Sequence, residues 1–322
     1  MSCKIVLDAP GILSPGSTMY GRVVCTFSSN TYIKEIRCKL RGTETTSVRH
    51  GKSTYVGSNR FLDLRLRLLG ESSLQSGVYE YPFYFPLPAG IPSSFEGEWG
   101  SITYTLKAVV DMPLAFNYKD KFTLTVTVPI DFNKIRRELQ LMPIVHQNEK
   151  IVCCWCCASE PITINLFLEK DAFVLGEMAK VNVEITNWSN TNVEEFILTL
   201  NRVTMYHCEL EGARHTKEQE LIGFQNATGV GAHGKRTYTV NFQIPTTISV
   251  YNLTPCQLIK QIFILRAEAV LPICHQNLTV DAEIKLGHIG LHDNNSTQET
   301  NLGFEDLEGA NYDTPPRYSA LF

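Results

Sequence analysis

The chain has 322 residues, of which 43% are hydrophobic and 19% charged, and a formal net charge of −4. That length is more than one hydrophobic core usually spans, so two globular domains are expected, and an acidic total argues against a nucleic-acid binder. No run reaches the roughly 18 consecutive apolar residues that cross a bilayer, and Lys4 and Asp8 break up the N-terminal stretch that a secretory leader would keep apolar.

Strand signals begin with Ile5-Val6-Leu7, followed by a turn at Leu13-Ser14-Pro15-Gly16 and a β-branched and aromatic run from Gly21 to Phe27. From Phe61 to Leu69 the pattern has a period of two: Leu62, Leu64, Leu66 and Leu68 face one way and Asp63, Arg65 and Arg67 the other, as in a half-buried strand. Pro86, Pro88, Gly90 and Pro92 punctuate the next stretch, and Phe122 to Val128 alternates again. The one helical candidate is Asn133 to Met142, with Ile135 and Leu139 four apart. Strand patterns resume at Ile162–Leu166 and Val280–Leu286, while Gly229 to Gly234 reads as a hairpin tip and lacks the residues of a phosphate-binding loop. Many short strands with turns between them predict an all-β sandwich or barrel.

A shift of 160 residues lays residues 16–41 on 176–201 without a gap. Gly16 falls on Gly176, Val23 on Val183, Ser29-Asn30-Thr31 on Ser189-Asn190-Thr191 and Leu40 on Leu200. A second block agrees one residue off, Pro86 with Pro245 and Lys107-Ala108 with Arg266-Ala267. The chain is therefore divided into a β-sandwich over residues 1–130, a connector over 131–159, a second sandwich over 160–291, and a tail over 292–322 whose polar composition reads as disordered.

These phrases resemble the arrestin domain-containing proteins, the α-arrestins. The resemblance rests on Leu13-Ser14-Pro15-Gly16 before Gly21-Arg22-Val23, on Lys39-Leu40-Arg41-Gly42, and on Leu87 to Gly97 with Gly100-Ser101-Ile102-Thr103-Tyr104. In the second half it rests on Asp171 to Gly176, Pro255 to Lys260 leading into Ala267-Glu268, and the closing run Ile284 to Leu291. It implies two tandem arrestin-like, immunoglobulin-like sandwiches acting as a non-enzymatic adaptor. It departs from the visual and β-arrestins, whose N-domain helix, paired phosphate-sensing lysines and buried polar core have no recognisable counterpart here, so activation by phosphorylated cargo is not carried over.

The tail holds Thr314-Pro315-Pro316-Arg317-Tyr318. Two prolines, any residue and tyrosine form the ligand of group I WW domains: the prolines preform a polyproline II segment and the tyrosine fills a second pocket. A chance match in a loop is the plain alternative for Pro315, Pro316, Arg317 and Tyr318. The resemblance implies that such a motif recruits a Nedd4-type HECT ubiquitin ligase.

Charge is unevenly spread. Residues 1–142 hold 17 Lys/Arg and 12 Asp/Glu, a net +5, and residues 143–322 hold 12 and 21, a net −9. Arg49, His50, Lys52, Arg60, Arg65 and Arg67 form a basic stretch opposed mainly by Asp63. It is read either as a contact for anionic lipid or acidic cargo, with Arg49, Lys52, Arg60, Arg65 and Arg67 as the contact residues, or as an ordinary solvated strand face.

Without a leader the ten cysteines are expected to be free thiols, Cys25, Cys38 and Cys208 filling strands, and six Asn-x-Ser/Thr sites, Asn187 to Asn295, are expected to carry no glycan. Four cysteines, Cys153, Cys154, Cys156 and Cys157, surround Trp155. A single extended strand cannot turn all four toward one zinc ion, because alternate side chains point oppositely. A cysteine-rich strand entering the second domain and a palmitoylation site remain as readings.

The histidines are scattered outside any hydrolase or zinc-protease setting, so no catalytic residue, cofactor or metal is expected. The expected function is a cytoplasmic trafficking adaptor, associated with plasma membrane and endosomes. It would bind membrane receptors or transporters as cargo, touch the membrane peripherally, bind no nucleic acid, and recruit the ligase for ubiquitination and endosomal sorting. The rivals are a sorting scaffold acting without a ligase and a zinc or redox protein built on residues 153–157.

Overall fold

In the first half, apolar residues recur at every second position, and that spacing builds strands with one buried face. The strands are β1 (Ser2–Leu7), β2 (Ile12–Leu13), β3 (Thr18–Phe27), β4 (Thr31–Ile33), β5 (Glu35–His50), β6 (Ser53–Leu69), β7 (Ser72–Leu74), β8 (Gly77–Pro86), β9 (Phe95–Gly97), β10 (Gly100–Asp111) and β11 (Tyr118–Val126). This is a computed structural model, and it describes residues 1–9, 12–113, 116–154, 157–208 and 214–292. One sheet runs β1-β3-β8 and the facing one β2-β11-β10-β5-β6, with β9 added on β10. Val23, Cys25, Ile36, Cys38, Leu40, Leu106 and Ala108 are fully buried between them.

The second half repeats the plan with β12 (Ile144–Cys154), β13 (Cys157–Leu168), β14 (Ala172–Val174), β15 (Met178–Asn187), β16 (Val193–Cys208), β17 (Arg214–Val230), β18 (Lys235–Gln243), β19 (Ile259–Val270) and β20 (Leu278–Gly287). Its sheets run β12-β13-β15-β18 and β14-β20-β19-β16-β17. The second order matches β2-β11-β10-β5-β6 strand for strand, including the parallel pairing of its short outer member. The duplication seen at a shift of 160 is thus a duplication of topology.

Three local readings differ from the sequence expectation, and one holds with a local irregularity. The helical candidate at Asn133–Met142 shrinks to a single 3-10 turn, Arg136–Glu138, without a side-chain cap. Asp131 instead holds the backbone N–H of Asn133 at 3.0 Å, a turn that competes with helix entry. Residues 229–234 do not close a hairpin: β17 pairs with β16 and β18 with β15, so this stretch carries the chain from one sheet to the other. The face expected from Leu62 to Leu68 holds, with Leu62, Leu64, Leu66 and Leu68 all packed on the first core, although β6 bulges opposite Gly42/Thr43 and opposite Ile36/Arg37. Finally, Cys153 and Cys154 end one strand and Cys157 begins the next, with Cys154 opposite Cys157, so the chain reverses direction at this point rather than running on as one strand.

The two sandwiches share a buried seam. Tyr206, Cys208, Leu253, Leu258 and Ile259 of the second half pack into the core of the first. The carboxylate at its centre is Glu44 on β5, fully buried. Its Oε1 accepts the backbone N–H groups of Leu258 at 2.8 Å and Ile259 at 2.7 Å, and its Oε2 accepts that of Gln257 at 3.1 Å and the Asn59 amide at 3.3 Å. A buried carboxylate persists when its lone pairs are met in this way. Beside it, Thr46 donates its hydroxyl to the His207 carbonyl at 2.6 Å, and across the same seam the Ser93 N–H donates to the Asn252 carbonyl at 2.9 Å while the Asn252 N–H donates to Ser93 Oγ at 3.3 Å.

Candidate interaction surface

The basic residues lie on β5 and β6, whose pairing decides which of them meet. Arg37 stands opposite Arg67, Lys39 opposite Arg65, Arg41 opposite Asp63 and Thr43 opposite Arg60. Arg60, Arg65 and Arg67 are therefore brought together. Arg49 pairs with Thr54 near the β5–β6 turn, six residues beyond Thr43 or about 20 Å along the strand, and the exposed Lys52 lies in the turn itself. The five-residue set read from sequence is split into a cluster of three and a separate pair. The cluster gains Arg37, Lys39 and Arg41, which alternate with the buried Ile36, Cys38 and Leu40 on β5. That alternation is the signal the sequence offers for them, and it is easily missed because Arg37, Lys39 and Arg41 lie well upstream of their register partners Arg67, Arg65 and Asp63.

One carboxylate serves four cations. Asp63 lies 3.1 Å from Arg65, 3.5 Å from Lys39 and 3.6 Å from both Arg41 and Arg60. The Arg65 hydrogen bond, with Lys39 adding to it, holds the Asp63 carboxyl down to about 2. Partial burial, then Arg41, pushes the Lys39 ammonium below its ordinary range. Arg41 Nε and Asp63 Oδ1 are buried and face each other without a hydrogen bond. A second group joins Arg37 to Glu35 and to Asp111 at 2.9 Å, with Arg67 at 3.6 Å from Glu35. Cations outnumber acids in the Asp63 group, and in the second group the two arginines are matched by two acids.

The other site candidates fall elsewhere. Cys25, Cys38 and Cys208 are buried in strands, and burial pushes the Cys38 thiol up to about 12. The side chains of Cys153, Cys154 and Cys157, the whole of Trp155 and Cys156, and the Pro315–Tyr318 motif lie outside the described residues. Among the described residues no group of three or more His, Cys, Asp or Glu is arranged to hold a metal ion, and no helix is long and apolar enough to cross a membrane.

Two twinned sandwiches joined through a polar-centred seam define an arrestin-type architecture. The family model of the arrestin (or S-antigen) N-terminal domain matches residues 3–133, and that of the C-terminal domain matches residues 158–291. Together they cover most of the chain, which belongs to the arrestin family, in its α-arrestin branch. The chain is 30% identical over 200 residues to arrestin domain-containing protein 4 of Homo sapiens, covering 57% of this chain and 47% of that one. It is 24% identical over 256 residues to arrestin domain-containing protein 17 of Caenorhabditis elegans, covering 78% and 58%. With arrestin domain-containing protein 1 of Mus musculus the identity is 22% over 282 residues, covering 87% and 62%. The chain spans about half the length of the first relatives it matches.

Proposed function

We propose that this chain is a non-enzymatic trafficking adaptor. Its sandwiches bind cytoplasmic parts of membrane receptors or transporters, and its tail recruits a Nedd4-type HECT ubiquitin ligase through WW domains. Cargo, or the adaptor itself, is then ubiquitinated and sorted through endosomes, so the protein works in the cytoplasm at plasma membrane and endosomes. The observation that carries the reading is the sequence Pro315-Pro316-Arg317-Tyr318 following two arrestin domains. The motif has its own physics: a preformed proline helix lowers the ordering cost of docking into an aromatic-lined groove. The basic face of the first sandwich is the contact for an anionic partner, with Arg60, Arg65 and Arg67 at its centre and Arg49 and Lys52 at its margin.

The test is a pull-down of the full chain with WW domains of a Nedd4-type ligase, wild type against Tyr318→Ala. Capture of the wild type and loss in the variant is expected. Equal capture of both removes ligase recruitment and leaves a scaffold that sorts without ubiquitin.

A further inference from the structure

The cation cluster on β5 and β6 does not stop at those strands. Register puts Arg65 opposite Lys39, Lys39 opposite Lys107 and Lys107 opposite Lys121. One rung across β6, β5, β10 and β11 thus carries four cations. The next rung reads Arg67, Arg37, Val109 and Lys119. Alternation turns these cations to the outside, because the residues between them, among them Cys38, Leu40, Leu106 and Ala108, form the core. The acids on this face, Asp63, Glu35 and Asp111, are engaged with the β5–β6 cations. Lys107, Lys119 and Lys121 are not buried, and none has an ion pair among the described residues.

The second sandwich supplies an internal comparison. Lys107 corresponds to Arg266 and Lys39 to Thr199, so the matching rung reads Phe224, Thr199, Arg266 and Asp281. There Asp281 clasps Arg266 through two hydrogen bonds of 2.7 Å. The next rung reads Asn226, Ile197, Glu268 and Thr279. The same sheet is therefore built without these cations. Like charges directly opposite on neighbouring strands oppose sheet formation, so four in one rung are a cost that the fold itself does not require.

We infer that the outer face of β6-β5-β10-β11 is a docking surface for an anionic lipid bilayer. Charge complementarity selects an anionic partner, and shape selects a membrane over an acidic peptide. The cations are spread over four strands, about 15 Å across, on the broad face of a sheet rather than along a groove. The two rungs present no exposed apolar side chain to anchor a peptide, Val109 being 6% exposed. Lysine ammoniums on flexible stems match laterally mobile headgroups as point charges.

The inference deepens the reading of the basic face as an anionic contact, but its test contains neither cargo nor ligase and so can fail independently of ligase recruitment. The full chain is sedimented with vesicles of phosphatidylcholine alone and of phosphatidylcholine with phosphatidylserine. Binding only to the anionic vesicles, weakening with salt, is expected. Each cation near an anionic surface contributes about fivefold, so Lys107→Gln/Lys119→Gln/Lys121→Gln should weaken partition about a hundredfold. The charge-matched Lys180→Gln/Lys217→Gln/Lys235→Gln, on exposed positions of the second sandwich, should change it far less. If the first triple variant does not fold, its three single variants, each expected to lose about fivefold, decide the matter. Equal binding to both vesicles, equal loss in both triple variants, or capture of polyglutamate without capture of anionic vesicles overturns the inference, the last in favour of an acidic peptide.

Discussion

Replacing Glu44 by alanine should loosen the seam between the two sandwiches more than any other single change to its polar contacts. The substitution removes the acceptor for three backbone N–H groups. Gln257 is exposed and its N–H can turn to water, whereas Leu258 and Ile259 are 2% and 0% exposed and are left as orphaned donors. Each buried unsatisfied donor costs about 1–3 kcal/mol, so a loss of about 4 kcal/mol is expected. Relief of the carboxylate's own burial is already contained in measurements of this type, which give about 3–5 kcal/mol when one partner of a buried charged contact is deleted. Glu44→Gln keeps one acceptor oxygen for Leu258 and Ile259 but turns an NH2 toward the Gln257 N–H and the Asn59 amide. Its loss should be smaller, about 1–3 kcal/mol. The assay is urea unfolding of the full chain with hydrogen exchange read at Leu258 and Ile259. Alanine should lower the midpoint more than glutamine and speed exchange at those two amides. A change below about 0.5 kcal/mol for both, the level of an ordinary surface substitution, would refute the clamp. So would a stability loss with unchanged exchange at 258 and 259.

Three further outcomes rest on the same geometry. A Cβ on Gly57 would sit 2.7 Å from Thr46 Oγ1 and 3.2 Å from the His207 carbonyl. Gly57→Ala should therefore break the Thr46–His207 hydrogen bond and destabilise by about 1–3 kcal/mol in thermal unfolding. An unchanged midpoint would mean the seam can yield there. Asp63 is held down to about 2, below its ordinary carboxylate value, by Arg65 first. Its stabilising effect is thus full above about pH 4 and lost as pH falls through about 2. A carboxyl titration by NMR should place the Asp63 midpoint near 2, and an ordinary value near 4 would dissolve the four-cation hub. Burial pushes both Cys38 and Cys256 up to about 12, with Glu44 adding to the effect at Cys256. Alkylation at neutral pH, located by peptide mass, should reach the exposed Cys274 while sparing Cys38 and Cys256 until unfolding. Early modification of Cys38 would contradict the packed first core.

Much of the architecture is readable in the sequence because it is periodic. Alternation in Phe122–Val128 and the offset between residues 16–41 and 176–201 depend on neighbours in sequence, and both survive in the sheets. What register brings together is not readable. Lys39, Lys107 and Lys121 lie far apart in the chain, and only the pairing of β5, β10 and β11 makes them one rung. Glu44 leaves a trace: Gly42, Glu44 and Thr46 continue the inward phase of Ile36, Cys38 and Leu40, with polar groups where core residues are due. That break marks where β5 leaves its own core and enters the seam, but a polar residue on an alternating strand also arises from a bulge, and β5–β6 has one at Gly42/Thr43. The Asn133–Met142 helix fails because one apolar pair four apart cannot outweigh an Asp131 turn at its entrance.

Direct titration of the full chain with an isolated group I WW domain tests the proposed recruitment of a ligase by the tail most closely. Saturable one-to-one binding of a short motif that orders on docking is expected, abolished by Tyr318→Ala and unaffected by Glu44→Gln. Binding that survives Tyr318→Ala, or no binding by the wild type, contradicts it.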